Sequence, residues 1–580
     1  MLALLLALAT VQDTTIVIHP DSSGATLQAR ELPRIVTDEV IRLYNTPTTT
    51  RLVGRTHLPR GNEWRGDVAV RNGPVLIGGR IQGSLLVING DALLEPGAEI
   101  TGSLIVVGGT AQGTAEARVG GEVRQYREPL LYRVRGGGAA GGDEIAYAPN
   151  LRRHLWNPGA RVSWGTADSR SSLTIATGGT FNRVEGLPIV FGPLFDWKLQ
   201  ENVRVRLDAL GVFRSAGDLS DSRSDLGYML RAELRSGEIR ALGVGFRAYD
   251  VVTPVEDWGL HNAEVGWSAF LFARDYRDYY LNKGAAVRVF AYPERQIAVT
   301  FEVRRDWQTS VAGRDPWTVF RNSELWRPNP PIDEGHYTTL SASAAIDTRN
   351  DVADPTAGWL VRGTLEHSRS KDVAPQTGVP SSVRGAIPTD GSYAFERLFV
   401  DIRRYARVSP SGRVNLRLVA GGWLGGDPLP LQRRLSLGGP DPLTGYAFRH
   451  SACNRDITAP AFAGTLLAAC DRVLAIQGEY RGHLSLHWSY NTTRDEEGRE
   501  ETSSLLSVEG LDLVVFGEAG QGWLLGNGPG RLPSDRLPTL GSWLADLGLG
   551  VDAGGFGLYV AKAVTTGEPL RFTVRLDHRF

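Results

Sequence analysis

From about residue 180 onward the chain is built of runs of roughly ten residues in which apolar and polar positions alternate, the length and rhythm of strands that cross a bilayer. Residues 570–580 show it most clearly. Leu570, Phe572, Val574, Leu576, His578 and Phe580 fall on one face, and Arg571, Thr573, Arg575, Asp577 and Arg579 on the other. Val203–Leu207, Ala286–Phe290 and Val414–Leu418 place Arg or Asn on alternate positions in the same way. Arginine in mid-strand is costly facing lipid and cheap facing a wet lumen, so the pattern predicts a transmembrane antiparallel β-barrel. Sixteen strand cores can be placed, at 186–198, 203–213, 226–235, 240–250, 263–274, 285–292, 296–306, 337–347, 358–367, 394–407, 413–424, 474–488, 504–518, 544–552, 556–564 and 570–580. With the termini on one side, the long connections 307–336, 368–393, 425–473 and 519–543 fall on the other side, and the charged insert 489–503 is the exception.

A different rhythm precedes the barrel. Gly66-Asp67-Val68, Gly83-Ser84-Leu85, Gly102-Ser103-Leu104 and Gly121-Glu122-Val123 recur at spacings of 17, 19 and 19, with short β-branched runs and glycines between them. Such a period predicts coils of a parallel β-solenoid; an ordinary antiparallel β-domain is the alternative. The segment resembles a short bactofilin-type β-helix, which implies either self-stacking or docking of a partner. Residues 2–9, LALLLALA, have the form of an exported leader's apolar core and are too short to span a membrane. The expected organisation is a signal peptide at 1–12, a periplasmic segment at 13–65, a solenoid at 66–134, a Gly-rich linker and barrel entry at 135–179, and the barrel at 180–580.

Composition narrows the function. Lys+Arg is 63 against Asp+Glu 64, which argues against a nucleic-acid partner. Lysine occurs only at 198, 283, 371 and 562, so the other 59 (63 − 4) cations are Arg. No phosphate-binding loop, zinc-protease helix or C-x-x-C is present, and no catalytic residue, metal or cofactor is expected.

Several motifs occur together. FNRVEGL at 181–187, DTRNDVADPTAGW at 347–359, LSLGGPDPLTGY at 435–446, GEYR at 478–481, FGEAGQGW at 516–523 and the terminal VRLDHRF resemble, in order, landmarks of the BamA/TamA-type outer-membrane surface-antigen superfamily. These are the start of its first strand, a periplasmic turn, the sixth extracellular loop, strands twelve and thirteen, and the carboxyl-terminal strand read by assembly machinery. The resemblance implies a loop folded into the barrel and latched there. Gly438, Gly439, Thr444, Gly445 and Tyr446 would form its tip, and Glu479, Phe516, Glu518 and Gly520 its seat. The family's latch is an Arg–carboxylate pair; here its Arg position is Thr444, so either Arg434 or Arg449 reaches Glu518 instead or the loop is held by packing alone. Phe572, Val574, Leu576 and Phe580 match the terminal-strand signal.

The two cysteines, Cys453 and Cys470, share one external loop and predict a disulfide in an exported chain. Arg274-Asp275-Tyr276-Arg277-Asp278-Tyr279-Tyr280 reads as an aromatic girdle with exposed charges. Two functions remain in view. The resemblance implies an assembly or translocation factor with a weak seam between first and last strands, near Val190 and Phe572. It would act on client polypeptides or lipids and depend on outer-membrane lipid and on assembly machinery for its own insertion. The alternative is a structural or porin-like barrel that presents the solenoid to the periplasm. The family's periplasmic helix-and-sheet repeats are not evident, and an outer-membrane enzyme lacks a nucleophile motif.

Overall fold

The computed structural model describes residues 32–580 apart from 136–142, 149–158, 167, 218–224, 238–239, 322, 324, 353, 386–391, 410, 455–456, 458–466 and 495–499. The expected signal peptide and most of the Gly-rich linker therefore lie outside the described residues.

The glycine-punctuated repeat forms a parallel β-solenoid with three faces. Thr50–Val53, Val68–Arg71, Leu85–Ile88, Leu104–Val107 and Val123–Tyr126 stack in parallel on one face, and two four-stranded faces complete the coils. Val68, Val70, Ile77, Leu85, Val87 and Leu104 fill the interior. One coil precedes the repeat read from sequence, because TRLV at 50–53 pairs without the Gly-Ser signature. The glycines allow coils to stack closely: a Cβ on Gly90 would lie 2.1 Å from the Gly73 carbonyl oxygen, and one on Gly109 would lie 1.9 Å from that of Gly90. Helix α1 (Arg34–Asn45) covers the five-stranded face with Val36, Val40 and Tyr44 against Ala69, Leu86, Ile88, Ile105 and Val107.

The alternating strands make one continuous antiparallel ladder. Its members are β1 (Gly159–Gly165), β2 (Ser169–Thr177), β3 (Pro188–Gln200), β4 (Val203–Arg214), β5 (Leu226–Ser236) and β6 (Ala241–Pro254). Then follow β7 (Tyr279–Glu294), β8 (Ile297–Ser310), β9 (Gly335–Asp347), β10 (Gly358–Ser370), β11 (Tyr393–Ser409) and β12 (Gly412–Gly426). The last five are β13 (Arg472–Arg494), β14 (Glu500–Leu525), β15 (Leu544–Ala553), β16 (Phe556–Ala563) and β17 (Arg571–Arg575). Arg531–Leu532 adds a two-residue parallel pairing to β14. The sheet is the all-β barrel architecture expected, with seventeen strands in the ladder where sixteen were counted.

Three local differences have physical causes. Residues 263–274 are not a strand: Asn262–Phe272 form helix α2, with His261 and Glu264 in a reciprocal capping box and Ala273 closing it at φ 55°. The run GWSAFLFA is apolar but for Ser268, so it lacks the alternation that identifies a strand. Two strands, β1 and β2, precede the first one counted, and FNRVEGL is the turn from β2 into β3, not the start of the barrel. With 263–274 no longer a strand, β3 to β6 run opposite to the direction read from sequence, while every strand from β7 onward keeps it. Finally, the 489–503 insert does not interrupt the sheet. β13 and β14 pair out to Arg494↔Glu500, because two strands of a hairpin satisfy one another's backbone groups.

The outer and inner faces differ as the alternation requires. Phe572 is 83% exposed and Arg575 1%. Instead of lining open water, the inner arginines Arg304, Arg417, Arg481, Arg575 and Arg579 are among the most buried large side chains, and carboxylates pair with them. One cause is that 255–278 and the described parts of 427–471 fold inward. α2 reaches the β2–β3 turn and the last strand: Phe270 packs edge-on to Phe181 at 5.2 Å, and Glu264 pairs with Arg575 at 2.5 Å.

Candidate functional site

The inward loop is a narrow apolar hairpin. Leu435 bridges to Cys470 and Leu437 to Ser451, and a Cys453–Cys470 disulfide closes it. Leu435, Leu437, Leu443 and Tyr446 pack with Val473, Ala475 and Ala563 of the wall. Gly438 and Gly439 turn the tip at φ 110° and 118°, in the left-handed region.

The tip reaches β14 and β15 through backbone donors. The Thr444 N–H donates to Glu518 at 2.6 Å and the Gly445 N–H to Asp546 at 2.7 Å, while the Tyr446 hydroxyl donates to the Ala545 carbonyl at 3.0 Å. Gly445 has no room for a side chain, since a Cβ would stand 2.7 Å from that of Asp546. Gly520 likewise yields to the loop: a Cβ there would lie 3.1 Å from Leu437. Gln477 also donates to Glu518, at 2.6 Å.

The cation facing Glu518 comes from neither expected source. Arg434 pairs with Asp471 at 3.0 Å and donates to the carbonyls of Leu429, Val383 and Ala469. Arg449 pairs with Glu256 at 3.0 Å and with Asp278. Glu518 instead receives Arg579, which also stands 3.4 Å from Glu479, donates to the Thr444 hydroxyl at 3.1 Å and lies 3.7 Å over the Phe516 ring. Thus Thr444 occupies the motif's Arg position and accepts a hydrogen bond from an Arg that enters from the other end of the ladder. Arg481 holds Glu479 from the second side at 2.7 Å.

Arg579 can reach this seat because the chain leaves the ladder after Arg575. Phe572 and Val574 face outward as expected, but Phe580 is buried at 5% exposure and does not continue their face. The inner groups around the tail are polar. Asp577 meets His261 at 2.6 Å, His578 lies 3.4 Å from Asp354 and 3.5 Å from Asp552, and Arg575 adds Asp441 at 3.7 Å.

β17 therefore pairs on one side only, with β16, from Gly557↔Arg575 to Ala561↔Arg571. β1 pairs only with β2, and among the described residues no ladder joins β1 to β17. The open edges are β1 and β17; Val190 lies in β3, which has partners on both sides.

A second ionic knot closes the loop end. Asp278 is surrounded by Arg183 at 2.8 Å, Arg327 at 2.7 Å and Arg449. Burial pushes its carboxyl up, but Arg327, Arg449 and Arg183 outweigh that and hold it well below the usual carboxylate range. Asp275, Arg277, Asp278, Tyr279 and Tyr280 are buried, so 274–280 is not an exposed charged girdle. Sequence spacing did not reveal this knot, because its three cations lie far apart along the chain.

At the opposite end the solenoid meets the DTRNDVADPTAGW turn. Asp91 accepts from Thr356 at 2.8 Å and from Arg407 at 2.6 Å, and Arg127 donates to the Thr348 carbonyl at 2.8 Å. Inside the turn, Arg349 forks onto Asp347 with both bonds at 3.0 Å.

An antiparallel barrel with a loop-filled interior, preceded by a parallel β-solenoid, is the class that this ladder and its latch define. Residues 248–504 match the Omp85 superfamily domain, so the likeness read from the motifs to BamA/TamA-type barrels holds over that region. No curated protein matches the chain in sequence. Among solved structures, BamA from Haemophilus ducreyi lacking POTRA domains 1–3 is 12% identical, covering 77% of this chain and 74% of that one, with a TM-score of 0.37. CdiB from Acinetobacter baumannii is 10% identical over 77% and 65%, with a TM-score of 0.28, and CdiB from Escherichia coli is 11% identical over 77% and 66%, with a TM-score of 0.29. The chain spans just under two thirds of either CdiB chain. The barrel assignment rests on the strand ladder itself.

Proposed function

We propose that this chain is an outer-membrane Omp85-type barrel that aids insertion or translocation of polypeptides or lipids, with its solenoid in the periplasm. The observation that carries the reading is β17. It is five residues long, paired on one side, and continues into a tail held inside the barrel by the returning loop. A strand with an unsatisfied edge in hydrocarbon offers its N–H and C=O groups to an incoming strand. Release of Arg579 from Glu518 and Thr444 would free that edge further. In this reading the role is not enzymatic. The partners are outer-membrane lipid, client chains or lipids, and the assembly machinery that inserts the barrel itself.

A second reading has its own support. The contacts of Asp91 and Arg127 fasten the solenoid to the barrel turns, as an anchor that presents a periplasmic module requires. Depletion followed by quantification of outer-membrane proteins and lipids separates the two. Loss of a subset of barrels or of lipid asymmetry is expected, with rescue by the intact chain. An unchanged outer-membrane inventory would defeat the assembly reading and leave the anchor.

A further inference from the structure

The outer wall of β7–β10 carries cations where a lipid-facing surface would be apolar. Two adjacent rows of outward residues cross these strands near the loop end. The row nearer the loops runs Lys283, Trp307, His336, and the next runs Ala285, Arg305, Thr338, Arg369. One row deeper, Val287, Val303 and Leu340 are all about half exposed and start the apolar band, with His367 closing the row on β10. The cations thus sit at the upper margin of that band, the headgroup depth at which charge on a barrel's outer face becomes tolerable.

Their counter-ions are unevenly distributed. Lys283 has Asp250 at 3.6 Å and His336 has Asp372 at 2.6 Å, while His367 faces Glu396 at 3.4 Å. Arg369 donates only to the His367 ring, at 2.9 Å, and Arg305 has no partner among the described residues. These two arginines are two strands apart in one row, about 10 Å at the usual strand spacing, with the Thr338 hydroxyl between them. Two guanidinium forks and a hydroxyl at that separation match a phosphate approached from both sides. Trp307, 49% exposed and stacked on His336, supplies an interfacial ring beside them.

We propose that this wall binds the phosphate-bearing headgroup of a membrane lipid in the leaflet at the loop end, with Arg305 and Arg369 as the phosphate donors. The inference rests on reading the ladder as membrane-spanning. The detergent-solubilised full chain is to be titrated, with native mass spectrometry as readout, with bis-phosphorylated lipid A and with the same lipid after removal of its phosphates. A preference of roughly tenfold for the phosphorylated form is expected. It should be lost in the Arg305→Gln/Arg369→Gln double variant and kept in Arg404→Gln, whose outward cation lies at the solenoid end. Equal binding of the two lipids, or a preference that survives the double variant, overturns the proposal. So does full competition by millimolar inorganic phosphate, which would mark a free-anion site. If the double variant does not fold, the two-lipid comparison on the unaltered chain and the single Arg305→Gln variant still decide. Protease protection after reconstitution into phosphatidylcholine vesicles tests the barrel reading separately; insertion without lipid preference would sink only this inference.

Discussion

Arg579 ties three groups from two parts of the chain to one guanidinium: the Glu518 carboxylate and the Phe516 ring of β14, and the loop hydroxyl of Thr444. Removing one partner of a buried pair leaves the other charge uncompensated, which costs about 3–5 kcal/mol. Arg579→Ala should therefore lower the denaturant midpoint of the detergent-solubilised barrel markedly. Arg579→Ala/Glu518→Gln should recover part of that loss, and a double variant no more stable than the single would show that the pair is not the cause. The Asp278 knot gives a pH prediction. Its folded pKa is depressed, so its contribution is complete above the ordinary carboxylate value of about 4 and is lost as pH falls through the folded value. Reduction of the Cys453–Cys470 disulfide by a phosphine should stay slow from pH 7 to pH 5 and accelerate only well below pH 4. Acceleration already at pH 6 would exclude Asp278 as the controlling group. Glu479, Phe516, Glu518 and the glycines of the tip were legible in the sequence because their motifs are local. Arg579 was not, since alternation placed it on the inner face without saying which of many inner carboxylates it meets.

Strands announce themselves by period two, and the solenoid by its glycine repeat, so both architectures could be read before any coordinates. The errors fall where a tertiary contact overrides a weak pattern. Past Glu264, α2 is apolar but for Ser268 and shows no alternation; it becomes a helix because its capping box and its contacts to the β2–β3 turn and to β17 favour it. β1 and β2 were missed because 159–177 is rich in Ser, Gly and Thr and offers little hydrophobic contrast. In the solenoid, Gly109→Ala would force a Cβ to within 1.9 Å of the Gly90 carbonyl oxygen. The coils must then separate, and a loss on the order of 2 kcal/mol is expected. Faster proteolysis between Gly83 and Tyr126 would register it, and an unchanged digestion pattern would show that the coils can move apart freely. β17 is expected to exchange its amide protons far faster than β9 and β10, which are paired on both sides. Equal protection would mean that the edge is covered.

The two ends of the barrel are built for different tasks. The loop end is tied by buried ionic knots, and the solenoid end by a few polar contacts to one turn and to Arg407 of β11. Asp91→Ala removes the acceptor shared by Thr356 and Arg407, so small-angle scattering of the variant should show a larger radius of gyration with the barrel intact. An unchanged radius would place the docking elsewhere. The latch also bears on the order of assembly. Thr444 and Arg579 are 135 residues apart, with β13 to β17 between them. The loop can rest against the wall early, but its cation does not exist in space until β17 has found its register. A misregistered final strand would leave Glu518 buried without its counter-charge, so the pair that closes the lumen also checks that the strand sequence before it was laid down correctly.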